Sequence, residues 1–170
     1  MRQLAAAFAF ALVTCVASAQ EPLLLHLGTL DLEFPPPWRF QRSGLRAEGR
    51  GPDGESVIAQ YRVLHPGAPA EVVAQHWSVI RNFARDEMPG IAAGRSSQVV
   101  RPVGETPRPD KRVQFSSVSR KEAAGGERYL LQYLLGSSRL IAYFTVEGPG
   151  DALQAAARFE RILATQRWQE

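Results

Sequence analysis

The chain reads as an α+β protein: a largely antiparallel sheet of about six to seven strands with two helices, arranged as an α/β/α sandwich. Three observations carry this. Tyr129-Leu130-Leu131-Gln132-Tyr133-Leu134-Leu135 and Leu140-Ile141-Ala142-Tyr143-Phe144 are apolar on both faces, as central strands covered on both sides would be. The segments around them are joined by short, turn-like stretches, which suit antiparallel pairing rather than parallel crossovers. Two amphipathic helical patterns lie apart from one another in the chain, one for each face of such a sheet.

In chain order, the first strand is expected from Gly28 to Phe34, where Leu30, Leu32 and Phe34 alternate with Thr29, Asp31 and Glu33. Pro35-Pro36-Pro37 ends it, because proline has no amide hydrogen to continue a ladder. Trp38 and Phe40 follow. A hairpin is expected from Leu45–Arg50 and Ser56–Leu64 around the turn formers Gly51-Pro52-Asp53-Gly54. After His65-Pro66-Gly67-Ala68, Pro69 suits the first turn of a helix running from Ala70 to about Met88. Its buried stripe would be Val73, Trp77, Ile80 and Ala84, and Pro89-Gly90 would stop it. Four strands come next, Ser97–Val103, Arg112–Ser119, Arg128–Gly136 and Arg139–Glu147. Asp151 is a good N-cap for a last helix through about Gln166, with Leu153, Ala156, Phe159, Ile162 and Leu163 as its buried stripe.

Residues 1–19 have the pattern of a secretory signal peptide: Arg2 as the positive n-region, Leu4 to Val13 as the apolar h-region, and Ala17-Ser18-Ala19 before Gln20 as the cleavage site. The apolar run falls short of the roughly 20 residues that span a bilayer. Cleavage between Ala19 and Gln20 leaves a single domain, 20–170, in the periplasm or outside the cell of a bacterium. Leu12-Val13-Thr14-Cys15 offers a competing lipobox; if Cys15 were lipidated, the same domain would associate peripherally with a membrane. Cleavage after Ala19 instead removes the one cysteine, and with it disulfides and thiol chemistry. Loss of Arg2 lowers the formal charge from +3 to +2, too small a balance to imply nucleic acid.

The opening Leu30-Asp31-Leu32-Glu33-Phe34-Pro35 with Trp38 resembles the strand, proline and tryptophan opening of the PsbP-like superfamily, which includes DcrB-type periplasmic proteins. The single mid-chain helix, the four-strand meander and the terminal helix with Phe159 and Ile162 extend that resemblance over nearly the whole mature chain. The triple proline departs from the family's proline-glycine-tryptophan turn. The resemblance implies an α/β/α sandwich with an accessory, assembly or binding role and no catalytic residues to carry over.

The residues themselves display no reaction signature. His26, His65 and His76 lack metal-ligand spacing, and there is no HExxH, cysteine pair or GxSxG elbow, so no cofactor or metal is expected. His76 is expected to be partly exposed and structural. Ser43-Gly44 and Ser137-Ser138 sit in expected turns, where serine bonds the backbone. Asp31 and Glu33 share a strand face; they read as a solvated edge-strand face more readily than as paired catalytic carboxylates. Two surface candidates remain. Arg101, Arg108, Lys111 and Arg112 bracket a Pro-rich loop and would form a basic patch, against which stand the interleaved Glu105, Asp110, Glu122 and Glu127. Trp38, on its proline-stiffened loop, would be either an exposed interaction anchor or the closure of the core. The expected function is therefore that of an exported, non-catalytic accessory protein binding an unidentified protein partner. The alternatives are a type VI secretion-related chaperone or immunity protein, or a small-ligand carrier.

Overall fold

The structure, a computed structural model, describes residues 21–108 and 111–169. The cleavage site at Ala19 and Gln20, and Cys15, lie outside the described residues. Among the described residues ten strands form two antiparallel sheets. A small one has the order β1 (Leu23–Leu27), β2 (Leu30–Phe34), β10 (Arg167–Trp168). The large one has the order β3 (Arg39–Ser43), β4 (Arg46–Arg50), β5 (Ser56–Val63), β9 (Leu140–Pro149), β8 (Gly126–Gly136), β7 (Val113–Ala123), β6 (Gln98–Pro107). The two apolar runs singled out above are β8 and β9, at positions five and four of the seven-stranded sheet. Every pairing is antiparallel.

The α/β/α arrangement follows from strand parity. On β8, Leu131, Tyr133 and Leu135 face one way, toward helix α3 (Ala152–Leu163) and the small sheet, with Phe144 and Val146 of β9 beside them. Leu134 and Tyr143 face the other way, toward helix α1 (Ala70–Asn82), and pack on Ile80. Each helix thus removes one apolar face of the central strands from water, which is the main favourable term in such a sandwich.

Several expectations are corrected. Gly28 is not the start of a strand. It has φ +66°, a left-handed value natural to glycine, and with Thr29 it turns β1 into β2. Leu23-Leu24-Leu25-His26-Leu27 is therefore an additional strand, with Leu25 and Leu27 buried. Strand β2 lies at the centre of the small sheet rather than at an edge, and β3 and β10 are further strands not foreseen. Pro89-Gly90 does not stop the first helix. A π turn, Phe83–Glu87, follows α1, and α2 (Met88–Gly94) begins next to Pro89. In a continuous α-helix the Pro89 ring would collide with the Arg85 carbonyl; the wider turn, in which the Met88 N–H reaches back to the Phe83 carbonyl, avoids this.

In α3, Leu153 is 54% exposed, and Ala152, Ala155 and Ala156 are buried together with Phe159, Ile162 and Leu163. The helix is rotated so that small side chains let its backbone approach the sheet. Asp151 caps it as expected, accepting from the Gln154 N–H at 2.7 Å. His76 is buried rather than partly exposed, and its Nε2 donates to the Ser137 carbonyl at 3.0 Å, a structural tie from α1 to the β8–β9 turn. In that turn Ser137 Oγ accepts from the Arg139 and Leu140 N–H groups, as a turn serine should.

Three buried tyrosines give the domain an alkaline limit. Burial pushes the Tyr129 and Tyr143 hydroxyls from about 10 up to about 12, and Tyr133 higher still. Because the folded values exceed the unfolded one, the stabilisation is complete below about pH 10 and drains away as the pH rises toward 12. We expect tyrosinate absorbance from these residues to appear only together with loss of the near-ultraviolet circular dichroism. Ionisation of all three near pH 10 in a still-folded domain would contradict their burial.

Candidate ligand pocket and interaction surface

The loop after β2 folds back over the core. Trp38 is 8% exposed, edge-on to Phe34 at 5.3 Å and stacked on Phe40 at 6.1 Å. It is therefore a closure of the core, not an exposed anchor. Its inner edge nevertheless forms one wall of a cavity of about 360 Å³ between the 35–38 loop, the β4–β5 turn, β8, β9 and α3. Leu131, Val146, Phe159 and Ile162 supply the apolar floor.

A charged cluster closes one side. Glu55, only 5% exposed, accepts the Asp53 N–H at 2.7 Å through Oε2, while Arg158 Nη2 of α3 lies 3.7 Å from Oε1. Beneath them the Tyr129 hydroxyl lies against Gly148, where an added Cβ would come within 2.4 Å of it; only glycine fits. Burial raises the Tyr129 pKa, and the Glu55 carboxylate adds to the rise. A phenol that holds its proton to about pH 12 is a poor acid or base near neutrality. The site is an apolar slot with a carboxylate–guanidinium pair at its rim.

The other sequence candidates are placed as follows. Asp31 and Glu33 do share a face, but Asp31 is buried, held by His26 Nδ1 at 2.6 Å and by Gln169 Nε2 at 2.5 Å. Glu33 pairs with Arg167. Asp31 is thus not a solvated residue, Glu33 is partly exposed, and β2 is not an edge strand; each carboxylate is engaged by another segment of the chain.

Arg101 and Arg108 do come together, lining a shallow groove of about 350 Å³ with Gln114 and Glu160. Their side chains are engaged within the chain, and Arg101 is matched by a carboxylate. Arg101 bonds Glu160 at 2.5 Å, Arg108 bonds Gln114 at 2.6 Å, and the Arg112 guanidinium lies 5.0 Å above the Trp168 ring. Lys111, with φ +57°, is exposed at the turn. Asp110 lies outside the described residues.

Glu55, Tyr129 and Arg158 were not legible as a group, since they come from a turn, a strand and a helix far apart in sequence. Among the described residues no three His, Cys, Asp or Glu side chains gather to hold a metal, and no helix is long and apolar enough to cross a membrane.

An antiparallel seven-stranded sheet between one long bent helix and a terminal helix, with a small sheet beside the latter, defines a PsbP-like fold. The solution structure of cyanobacterial PsbP from Synechocystis sp. PCC 6803 is similar over 91% of this chain and 95% of that one, at a TM-score of 0.57 and 10% identity. A crystal structure from Bacteroides thetaiotaomicron VPI-5482 is similar over 89% of this chain at a TM-score of 0.50 and 10% identity; the chain spans about half of that protein, 49%. No family model and no curated protein matches the chain.

Proposed function

We propose that the chain is an exported, non-catalytic accessory protein of the bacterial periplasm that binds a protein partner, and that the Trp38–Arg158 cavity receives an apolar side chain of that partner. The observation that carries this is the cavity itself. It has an apolar floor and a paired carboxylate and guanidinium at the rim. The PsbP-like fold supports an accessory role. Fold alone does not transfer a partner, so the reading rests on the site.

The test has two arms. Fractionation and intact mass of the native protein should find it in the periplasm, beginning at Gln20; a lipidated Cys15 terminus would mean that the exported domain is tethered to a membrane. Chemical cross-linking in periplasmic extract should then capture a defined partner with the mature domain. Arg158→Ala and Ala155→Leu, which remove the rim cation and fill the slot, should reduce that capture at least about tenfold, the effect of removing one contact worth about 1.4 kcal/mol. Undiminished capture by both variants would move the interface elsewhere. A small molecule co-purifying in the slot, with no partner, would replace the reading by that of a ligand carrier. A captured toxin encoded by an adjacent gene would specify the immunity or chaperone alternative.

A further inference from the structure

A second cavity, of about 470 Å³, lies on the opposite face of the large sheet, between the bent helix and the β6–β7 edge. Two local irregularities meet there. Ala84 and Arg85 come from the π turn, and single π turns inside helices recur at functional sites. Val99, Pro102 and Val103 come from the stretch of β6 where the register against β7 shifts twice, between Val99 and Arg101 and between Arg101 and Gly104. Bulges of this kind re-aim side chains beside binding sites. The cavity thus lies where the wide turn of the helix faces the shifted register of the strand.

The floor of the cavity is polar in a selective way. Ser117 Oγ donates to Gln132 Oε1 at 2.9 Å, and Gln132 Nε2 donates to Tyr143 Oη at 2.7 Å, so both ends of the buried amide are occupied. Ser119, on the same face of β7 and only 1% exposed, is different: its Oγ has no hydrogen-bond partner. A buried hydroxyl without a partner costs roughly 1–3 kcal/mol, so a cavity lined by one is poised for a group that satisfies it.

We propose that this cavity binds a small, uncharged aliphatic molecule whose one carbonyl or hydroxyl oxygen bonds Ser119 Oγ. The walls, including Ala84, Ala92, Val103 and Phe115, are apolar and suit an aliphatic body. An anionic head is disfavoured by the rim: Arg85 is taken up by Asp86 in two bonds of 2.8 and 2.7 Å, and Glu105 would repel an anion. A helical segment, about 10–12 Å across with its side chains, exceeds the space.

The probe is 2-octanone, titrated into the mature domain and followed by amide NMR shifts, with octanoate as the charged comparison. Saturable binding should appear, with shifts centred on Ala92, Val103, Ser117 and Ser119, and octanoate should bind more weakly. Ser119→Ala, which removes the unpaired hydroxyl and should leave the melting temperature unchanged or raised, should weaken 2-octanone about fivefold. Val103→Trp, which fills the space, should abolish binding. The proposal is overturned by shifts centred on Trp38 and Arg158, by absence of saturation, by tighter octanoate binding, or by unchanged affinity in Ser119→Ala. Because the two cavities lie on opposite faces of the sheet, these outcomes are independent of the partner reading.

Discussion

Phe159→Ala is expected to destabilise the domain by about 3–5 kcal/mol, the range for deleting a fully buried aromatic ring. Phe159 is the point at which the layers meet. Its ring stacks on Tyr133 of β8 at 5.2 Å and stands edge-on to Phe34 of β2 at 6.0 Å and Phe144 of β9 at 6.3 Å. Removing it enlarges the space already present below Trp38 and loosens α3 from both sheets at once. For a domain of this size the loss corresponds to roughly 6–20 °C in melting temperature. Leu153→Ala on the same helix should cost within about 0.5 kcal/mol, since Leu153 is exposed. Urea titration of the two variants would decide the matter. Comparable losses would mean that α3 is rotated from the orientation described.

Gln132→Leu is expected to cost about 2–4 kcal/mol even though leucine is apolar and similar in size. The amide is fully buried and is the middle link between Ser117 and Tyr143. Leucine leaves two buried hydroxyls without that partner, each at about 1–3 kcal/mol, with partial relaxation. The distinguishing measurement is a variant in which Ser117→Ala and Tyr143→Phe accompany Gln132→Leu. With all three polar groups gone, most of the lost stability should return. If the triple variant is no more stable than Gln132→Leu alone, the cost comes from packing and not from unpaired polar groups.

Gln132 also shows what the sequence concealed. The run Tyr129–Leu135 identifies a central strand correctly because two-sided burial requires apolar residues on both faces. That same reading passes over the one amide within it. A glutamine in such a run signals either a polar partner across the sheet or a cavity, and here it meets both. The long-range placements were less legible. Glu55 and Arg158 meet because a turn and a helix pack together, which no local spacing encodes. Strand β10 is two residues long, Arg167–Trp168, and is a strand only because β2 stands beside it. Pro89 misleads for a related reason. A proline near the end of an apolar stripe looks like a stop signal, yet the same residue fits the first turn of a following helix. Trp38 was legible as one of two alternatives, and the ring contacts of Phe34 and Phe40 select the buried one.

The pairing of β2 with β10 has a consequence in time as well as in space. It joins Asp31 to Arg167, and Thr165 Oγ1 accepts the Glu33 N–H, across 132 residues of chain. A chain emerging from the amino end must therefore carry β2 with one side unmatched until residues 165–168 have been made. Non-local closure of this kind slows the final folding step. Until Arg167 and Trp168 reach it, β2 keeps an open edge of the kind along which other chains can pair.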